Sequence, residues 1–350
     1  MSNTNKLQNS EKQLFYDIKQ LIENARISVS KLVSSNVTVL YWHIGRRINT
    51  EILNEKRAEY GKQIVAALSR QLVQYYGNNF EEKNLRRMIQ FAQIFIDSEN
   101  VATLWRQLSW SHFKLLFPLK KEIERDFYAQ MCYNEGWNVE TLRNKINSML
   151  FERTAISKKP EKLAKMELLQ LKDENKMSPD LVFRDPYILD FLGLKDLFSE
   201  KDLEMAILNE LEKFILELGV GFTFVARQKR MIIDGEDYHL DLLFFHRKLK
   251  RLVAIDLKIG KFESGYKGQM ELYLRWLEKY ETENDEEKPI GLILCAEGNN
   301  EQIELLQLDK DNIKVAKYIT ETLPKNLLKQ KLQQFMIESK NQIERRKEND

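Results

Sequence analysis

Residues 238–262, "YHLDLLFFHRKLKRLVAIDLKIGKF", constrain the fold of this chain more than any other stretch. Two runs rich in β-forming residues flank the basic segment "KLK", which predicts a β-hairpin. Three charged residues, Asp241, Asp256 and Lys258, stand inside these otherwise apolar strands. A buried charge is costly unless it is paired or bound to a metal ion, so these residues need a specific reason to be there.

Strand geometry places these charges in one region. Asp256 and Lys258 are two residues apart, so their side chains share a face and Leu257 points to the other face. The hairpin brings Asp241 near Asp256 if the register places them across from each other. Two close carboxylates repel, and one takes up a proton unless a cation lies between them. Mg²⁺ is the natural partner, because it binds one or two carboxylates together with water and substrate phosphate.

An ordinary cross-strand salt bridge on a solvated sheet edge is the alternative interpretation of an Asp-x-Lys pair. The apolar character of both strands favours a functional site instead. Gln269 and Tyr273 lie one turn apart on a predicted helix after the sheet, where a surface Gln and a half-buried Tyr are the ordinary interpretation. Glu204 and Glu210 precede the sheet as further carboxylates, unless they simply form the polar face of their helix.

A chain of 350 residues is long enough for two domains. Residues 1–155 have apolar residues at three- and four-residue spacing, which predicts a helical domain of helix-turn-helix or winged-helix-like character. Residues 156–180 are charged and lack aromatic residues, and we expect a linker there, with room for one helix. Residues 181–350 alternate element types in the order αβββαβαβα, which predicts an α/β domain with a mixed central sheet and helices on both faces.

Several classes of protein are excluded by composition. Only two cysteines occur, Cys132 and Cys295, and they are too few and too far apart for a disulfide framework or a zinc site. No apolar run is long enough to span a bilayer, and the polar start lacks a signal-peptide core. No nucleotide-cofactor motif is evident. We therefore expect a soluble, cytoplasmic protein without a membrane partner.

The combined motifs resemble a known family. The spacing of Asp241 and Asp256-Leu257-Lys258 resembles the PD-(D/E)XK nuclease motif, and Gln269 with Tyr273 matches the Q-x-x-x-Y motif of its RecB-like branch. Longer segments, including "EKDLEMAILNELEKFILELGVGFTFVARQKRM" and "GQMELYL", resemble the YhcG-type nucleases of bacteria. The segments "NLRRMIQFAQIF" and "LSWSHFKLLF" resemble the helical N-terminal domain of that family. The resemblance extends over nearly the whole chain, although the proline of the motif name is absent before Asp241.

The resemblance implies a restriction-endonuclease-like fold and a site for Mg²⁺, for which Mn²⁺ can substitute. The carboxylates of Asp241 and Asp256 and the carbonyl of Leu257 would be metal ligands, and Lys258 would be the catalytic lysine. Gln269 and Tyr273 would position the site or the substrate. Glu204 is the expected additional acid, with Glu210 in reserve. His239 lies on the same strand face as Asp241 and His246 does not, but a packed or exposed histidine is the simpler expectation for both.

The N-terminal domain is the expected docking site for nucleic acid. Residues 1–150 carry 21 Lys and Arg against 15 Asp and Glu, which favours a polyanionic partner as much as a plain solvated helical surface. Trp105, Trp110 and Trp137 are stacking candidates, although large aromatic side chains more often form the core of a small helical domain. The candidates for phosphate contacts are basic residues between the predicted helices and on their exposed faces: Arg86, Arg87, Lys114, Lys120 and Lys121.

The first hypothesis is a Mg²⁺-dependent DNA endonuclease acting in restriction, repair or recombination, with a homodimer as a common arrangement for cutting both strands. The second is an accessory protein that binds nucleic acid without cutting it, and intact Asp241, Asp256 and Lys258 argue against this. The third is an interaction subunit of a larger DNA-processing complex, in which the helical domain binds a partner. The sequence leaves open DNA against RNA, the preferred substrate structure and the pathway.

Overall fold

The structure is a computed structural model, and the chain divides into two compact units, Met1–Asn144 and Lys145–Asp350. No helix among the residues it describes combines the length and the apolar character needed to cross a membrane. The described residues are 13–22, 35–55, 58–96, 108–194, 198–297, 300–321, 323, 326–328, 330 and 332.

The first unit is helical over its described residues, as predicted. The α-helices of the first unit are α1 (13–22), α2 (Ser35–Glu55), α3 (Ala58–Tyr76), α4 (Glu82–Ile94), α5 (Trp110–Leu116), α6 (Glu122–Glu135) and α7 (Val139–Asn147), the last of which extends just past the unit boundary. Gly136, in the left-handed conformation (φ 65°), ends α6, and the Asn138 side chain accepts a hydrogen bond from the Thr141 N–H at the start of α7.

The core of the first unit forms where the apolar faces of α1 to α4 meet. Leu14, Ile18 and Ile22 recur every four residues along α1, and all three are buried. Gly45 allows α2 and α4 to approach closely, because a Cβ at this position would lie 1.8 Å from the carbonyl oxygen of Met88.

The second unit contains a six-stranded sheet and its helices. The helices before β2 are α8 (Leu150–Arg153), α9 (Glu161–Glu174), α10 (Pro179–Val182), α11 (Glu200–Asn209) and α12 (Leu211–Leu218). The strands are β1 (Tyr187–Ile188), β2 (Phe222–Ile233), β3 (Glu236–His246), β4 (Arg251–Lys261), β5 (Ile290–Glu297) and β6 (Ile313–Ile319). Helix α13 (Gly265–Tyr280) lies between β4 and β5 in the chain, and α14 (Asn300–Leu305) lies between β5 and β6.

The sheet is mixed, as predicted, with strand order β1-β6-β5-β4-β3-β2. The hairpin strands β2, β3 and β4 pair antiparallel, whereas β4, β5, β6 and β1 pair parallel. The continuous apolar run of β5 is buried from Ile290 to Cys295, which is typical of a central parallel strand. Apart from a second helix before β2, the order of elements from α11 to β6 matches the prediction, and the two-residue strand β1 was not predicted.

Helices cover both faces of the sheet. Buried residues of α13 pack in one cluster with Leu243 and Ala254 of the central strands. Phe214 of α12 packs on Phe244, with ring centroids 6.0 Å apart. Because Leu243 and Phe244 are consecutive in β3, α12 and α13 lie on opposite faces.

Two boundaries differ from the predictions. Residues 156–180, expected as a linker, belong to the second compact unit, and the apolar side of α9 is buried through Ala164, Leu168 and Leu171. The single helix expected before β2 is two helices, because the backbone leaves helical geometry at Glu210 (φ −113°, ψ 32°). Ser199 is the N-cap of the first of these helices, and Gly219 ends the second.

Candidate active site

The site forms where the ladder between β3 and β4 ends. The last paired residues are Leu242 and Ile255, and one further step in the same register places Asp241 across from Asp256. Beyond this point β3 continues to pair with β2, and β4 continues to pair with β5. The backbone N–H of Leu257 donates a hydrogen bond to Oδ2 of Asp241 at 2.8 Å. The hairpin register therefore brings the two predicted acids together.

Asp256 and Lys258 are the most enclosed charged groups of this site. Their side chains are only 4% and 12% exposed, and the Lys258 Nζ lies 3.0 Å from Oδ2 of Asp256. Burial raises the pKa of Asp256 to about 6, and the nearby Asp241 adds to the rise while the charge of Lys258 opposes it. Burial tends to lower the pKa of Lys258, but the surrounding carboxylates, Asp256 first, outweigh burial and raise it.

Glu204 of α11 lies near Asp241, and the two carboxylates share a hydrogen-bond donor. The Gln228 amide donates to Oε2 of Glu204 at 2.9 Å and to Oδ1 of Asp241 at 3.2 Å. Partial burial, followed by the charge of Asp241, raises the pKa of Glu204. Glu210 instead forms an ion pair with Lys213 at 2.8 Å. Of the two acids weighed in the sequence, Glu204 is therefore the one that interacts with the site.

Three neighbours of the site were not predicted. Gln228 had no signal in "ARQKRM", because only the strand register reveals that it lies opposite Asp241. Tyr266 places its ring 5.1 Å from the Lys258 Nζ, a cation–π distance. Glu200, one turn before Glu204 on α11, contributes to the raised pKa of Lys258 by its charge.

Gln269 and Tyr273 connect α13 to the strand that carries Asp241. The Gln269 amide donates to the Tyr273 hydroxyl at 2.6 Å, and that hydroxyl donates to the backbone carbonyl of His239 at 3.3 Å. Tyr273 is almost fully buried, and burial raises its pKa. This chain of hydrogen bonds reaches β3 two residues before Asp241.

The two histidines of β3 have different surroundings. The His239 side chain is exposed. His246 is buried against Phe222 at a ring-centroid distance of 4.7 Å, and burial lowers its pKa to about 4. Both are the packed or exposed histidines that the sequence favoured.

The donor atoms at this site fit a hard divalent cation. Asp241, Asp256 and Glu204 offer carboxylate oxygens, which Mg²⁺ and Mn²⁺ prefer. Burial is the main cause of the raised pKa of Asp256, and repulsion from Asp241, which a cation would relieve, adds to it. Among the described residues, no three His, Cys, Asp or Glu side chains already stand in a metal-holding arrangement. In this structure the Gln228 amide lies between Glu204 and Asp241. Both cysteines are buried and free of disulfides, and burial raises the pKa of each to about 12.

The predicted phosphate-contact residues of the first unit lie on its surface or at its partly buried margin. Arg86 forms an ion pair with Glu82 on α4, and Arg87 contacts Asn84. Lys114 lies on α5, and Lys120 and Lys121 are exposed just before α6.

The tryptophans of the first unit are mainly core residues where the structure describes them. Trp110 packs between Tyr41 and Phe117, at ring-centroid distances of 5.0 and 5.5 Å. Trp137 is buried, and its indole N–H donates to Glu135 at 2.8 Å. Trp105 lies outside the described residues.

Two family models match the chain, one for each part. The YhcG PDDEXK nuclease domain matches residues 180–333, and the DUF1016 N-terminal domain matches residues 17–153. A curated protein of Escherichia coli (strain K12), named "Putative nuclease YhcG", is 37% identical over 315 residues, which cover 81% of this chain and 83% of that protein.

Solved structures with some likeness include a repair endonuclease and EndoMS, but the likeness is low. A repair endonuclease from Pyrococcus abyssi is 23% identical with a TM-score of 0.26, over 35% of this chain and 49% of that chain. A structure titled as an EndoMS-dsDNA2 complex is 20% identical with a TM-score of 0.28, over 37% and 49%. The matched part therefore spans about half of each solved chain.

Proposed function

The chain belongs to the YhcG family of PDDEXK nucleases, and on that premise we propose that it is a Mg²⁺-dependent endonuclease that hydrolyses phosphodiester bonds in DNA. The observation that carries the proposal is the meeting of Asp241, Asp256 and Lys258 at the end of the β3–β4 ladder. A plain structural salt bridge does not require a second, partly buried acid beside it, because that acid adds repulsion.

The roles of the site residues follow from their chemistry. Asp241, Asp256, Glu204 and the carbonyl of Leu257 would hold the cation, which supplies Lewis-acid polarisation of the phosphate and activation of a water molecule. The Lys258 ammonium, held by Asp256, is suited to orient that water and to balance negative charge that develops on the phosphate.

Gln269 and Tyr273 support the site from behind. Their hydrogen bonds end on the β3 backbone near Asp241, so the two side chains would fix the position of β3 relative to α13. A fixed strand keeps the Asp241 carboxylate in place for the cation, since small displacements of catalytic groups are costly. We assign them a positioning role.

The first unit is proposed to bind DNA through its basic surface, with Arg87, Lys120 and Lys121 as phosphate contacts. Such contacts supply affinity without sequence preference. Cutting both strands of a duplex would suit a homodimer.

The test is a cleavage panel with purified full-length protein. Linear and supercoiled duplex, single-stranded DNA, a four-way junction and RNA would each be incubated with Mg²⁺, Mn²⁺ or EDTA. We expect cutting of a DNA substrate with Mg²⁺ or Mn²⁺ and none with EDTA. Cutting in EDTA would refute the metal dependence, and binding of DNA without any cutting would favour the accessory-protein hypothesis.

A further inference from the structure

Gln228 has an unusual backbone for a residue in a β-strand. Its φ is +44°, in the left-handed region that a residue with a Cβ rarely adopts. The strand β2 also contains a register shift between Phe224 and Ala226, a few residues earlier. Bulges and left-handed residues in strands re-aim side chains and cluster near functional sites.

The side chain of Gln228 is re-aimed onto two acids from different elements. The cross-strand register pairs Arg227 with Leu242 and Lys229 with Leu240, so Gln228 lies opposite Asp241. Its single amide nitrogen donates to Asp241 of β3 and also to Glu204 of α11. Gln228 is thus the hydrogen-bonding link between the helix acid and the sheet acid.

The two acids need such a link because they repel. The charge of Asp241 contributes to the raised pKa of Glu204, and the Gln228 hydrogen bond opposes that rise. A neutral donor that satisfies both carboxylates lowers their repulsion without adding a charge that would compete with a cation.

We propose that Gln228 is a positioning residue that holds Glu204 beside Asp241, so that both carboxylates are ready to receive the divalent cation. This inference rests on the proposed function, since it concerns the affinity of the same metal site. Hydrogen-bonding partners of metal-binding carboxylates typically account for tenfold to hundredfold differences in metal affinity. We therefore expect Gln228 to raise the affinity of the site for a divalent cation on the order of tenfold.

The variant Gln228→Gly separates this role from a structural one. Glycine removes the amide and its two hydrogen bonds, but it also accepts a positive φ without strain, so the two effects oppose each other and the melting temperature should change little. The matched control is Lys250→Gly, which makes the same kind of backbone change at another left-handed position (φ +49°), in the turn between β3 and β4. The loss of that basic residue should not weaken the binding of a cation.

The experiment is calorimetric titration of Mn²⁺ alone into full-length protein, with melting temperatures recorded in EDTA. We expect the Mn²⁺ dissociation constant of Gln228→Gly to rise about tenfold over wild type, with a melting temperature close to that of wild type. The Mn²⁺ dissociation constant of Lys250→Gly should stay unchanged. Wild-type affinity in Gln228→Gly would overturn the inference and leave the proposed function standing. Equal weakening in both glycine variants would overturn it too, as a backbone effect. If the wild type bound no divalent cation, the proposed function itself would fail.

Discussion

The two units of this protein place their charged residues in opposite ways. In the second unit Asp256 is 3% exposed within an apolar strand, and its partner Lys258 is almost as enclosed. In the first unit the basic residues at Lys120 and Lys121 are exposed, and aromatic residues such as Trp137 form the core. A buried charge limits the functions that a site can have, because burying a charge without a partner costs free energy. An exposed charge has no such cost, so it says little about function.

This difference explains why the second unit points to a reaction and the first only to a class of partner. Removing an enclosed group changes a small set of contacts that nothing else replaces. Removing one exposed lysine leaves neighbouring charges that act over the same distance, since salt-screened attraction to a polyanion is shared. Large effects are therefore expected from single changes in the second unit, and small, additive effects from the first.

The largest expected effect comes from Lys258→Ala. Loss of the ammonium removes a charge that stabilises the reacting phosphate, so the cleavage rate should fall by about 10²–10³-fold. Initial rates of duplex cleavage in Mg²⁺ measure it, and circular dichroism checks the fold. Asp256→Ala should be at least as damaging, because it removes a proposed metal ligand.

The matched control for that change is Lys261→Ala on the same strand. Lys261 is 64% exposed and pairs with Glu297 at 3.4 Å, so it shares the residue type without the burial. Its rate should stay within about twofold of wild type, since exposed ion pairs contribute little. Equal losses in both lysine variants would mean that strand β4 as a whole, not Lys258, is needed.

The acid response of folding should also differ between the units. In an unfolded chain the pKa of His246 would be near 6.5, and burial lowers it to about 4 in the fold. Between these values the unfolded chain binds more protons, so the free energy of unfolding decreases as pH falls through this window. The loss should reach about 3 kcal/mol at pH 4, and it should be absent above pH 6.5.

Urea unfolding from pH 7.5 down to pH 4 tests this, with His246→Asn beside wild type. Asparagine can still accept the hydrogen bond that His246 Nδ1 receives from the Leu249 N–H at 3.1 Å. The variant should lose less stability in acid, whereas His239→Asn, at an exposed position of the same strand, should behave as wild type. In the first unit burial also lowers the pKa of His112, but its hydrogen bond to the Trp137 carbonyl opposes burial. If the free energy of unfolding of His246→Asn fell with pH as steeply as that of wild type, groups other than His246 would be responsible for the loss of stability in acid.

The sequence was most informative where the periodicity of apolar residues was clear. The hairpin and the mixed sheet both follow from local patterns, and the structure confirms them. The strand β1 was missed because two residues carry no detectable period, and it is defined only by pairing with β6. Residues 156–180 were assigned to a linker because their charge hides the buried stripe of α9.

Only part of the site could be predicted from the sequence. Alternation places Asp256 and Lys258 on one face, so their meeting could be predicted. Gln228 could not, because its contacts depend on a register shift and a left-handed backbone that no single residue type announces. The choice between Glu204 and Glu210 needed their side-chain partners, Gln228 and Lys213, which helical periodicity does not indicate.

That choice gives a matched pair of changes within one segment. Glu204→Gln should lower the cleavage rate and the Mn²⁺ affinity by about tenfold, because a carboxylate is lost beside Asp241. Glu210→Gln should change neither, because Glu210 pairs with Lys213 instead. Rates measured across Mg²⁺ concentrations would separate the two, since excess metal should partly rescue Glu204→Gln. A larger loss in Glu210→Gln would reverse the assignment.

The smallest single effects are expected in the first unit. Lys120→Ala and Lys121→Ala should each weaken duplex binding a few-fold, and each should reduce the slope of log affinity against log salt by about 0.9 if it contacts a phosphate. Arg86→Ala should have less effect, because its guanidinium is already paired with Glu82. The maximal cleavage rate at saturating DNA should not change in any of them, in contrast to Lys258→Ala. Salt titrations of fluorescent duplex measure the slopes. Full DNA affinity in a Lys120→Ala, Lys121→Ala double variant would remove this surface from DNA binding and favour a partner-binding role for the first unit.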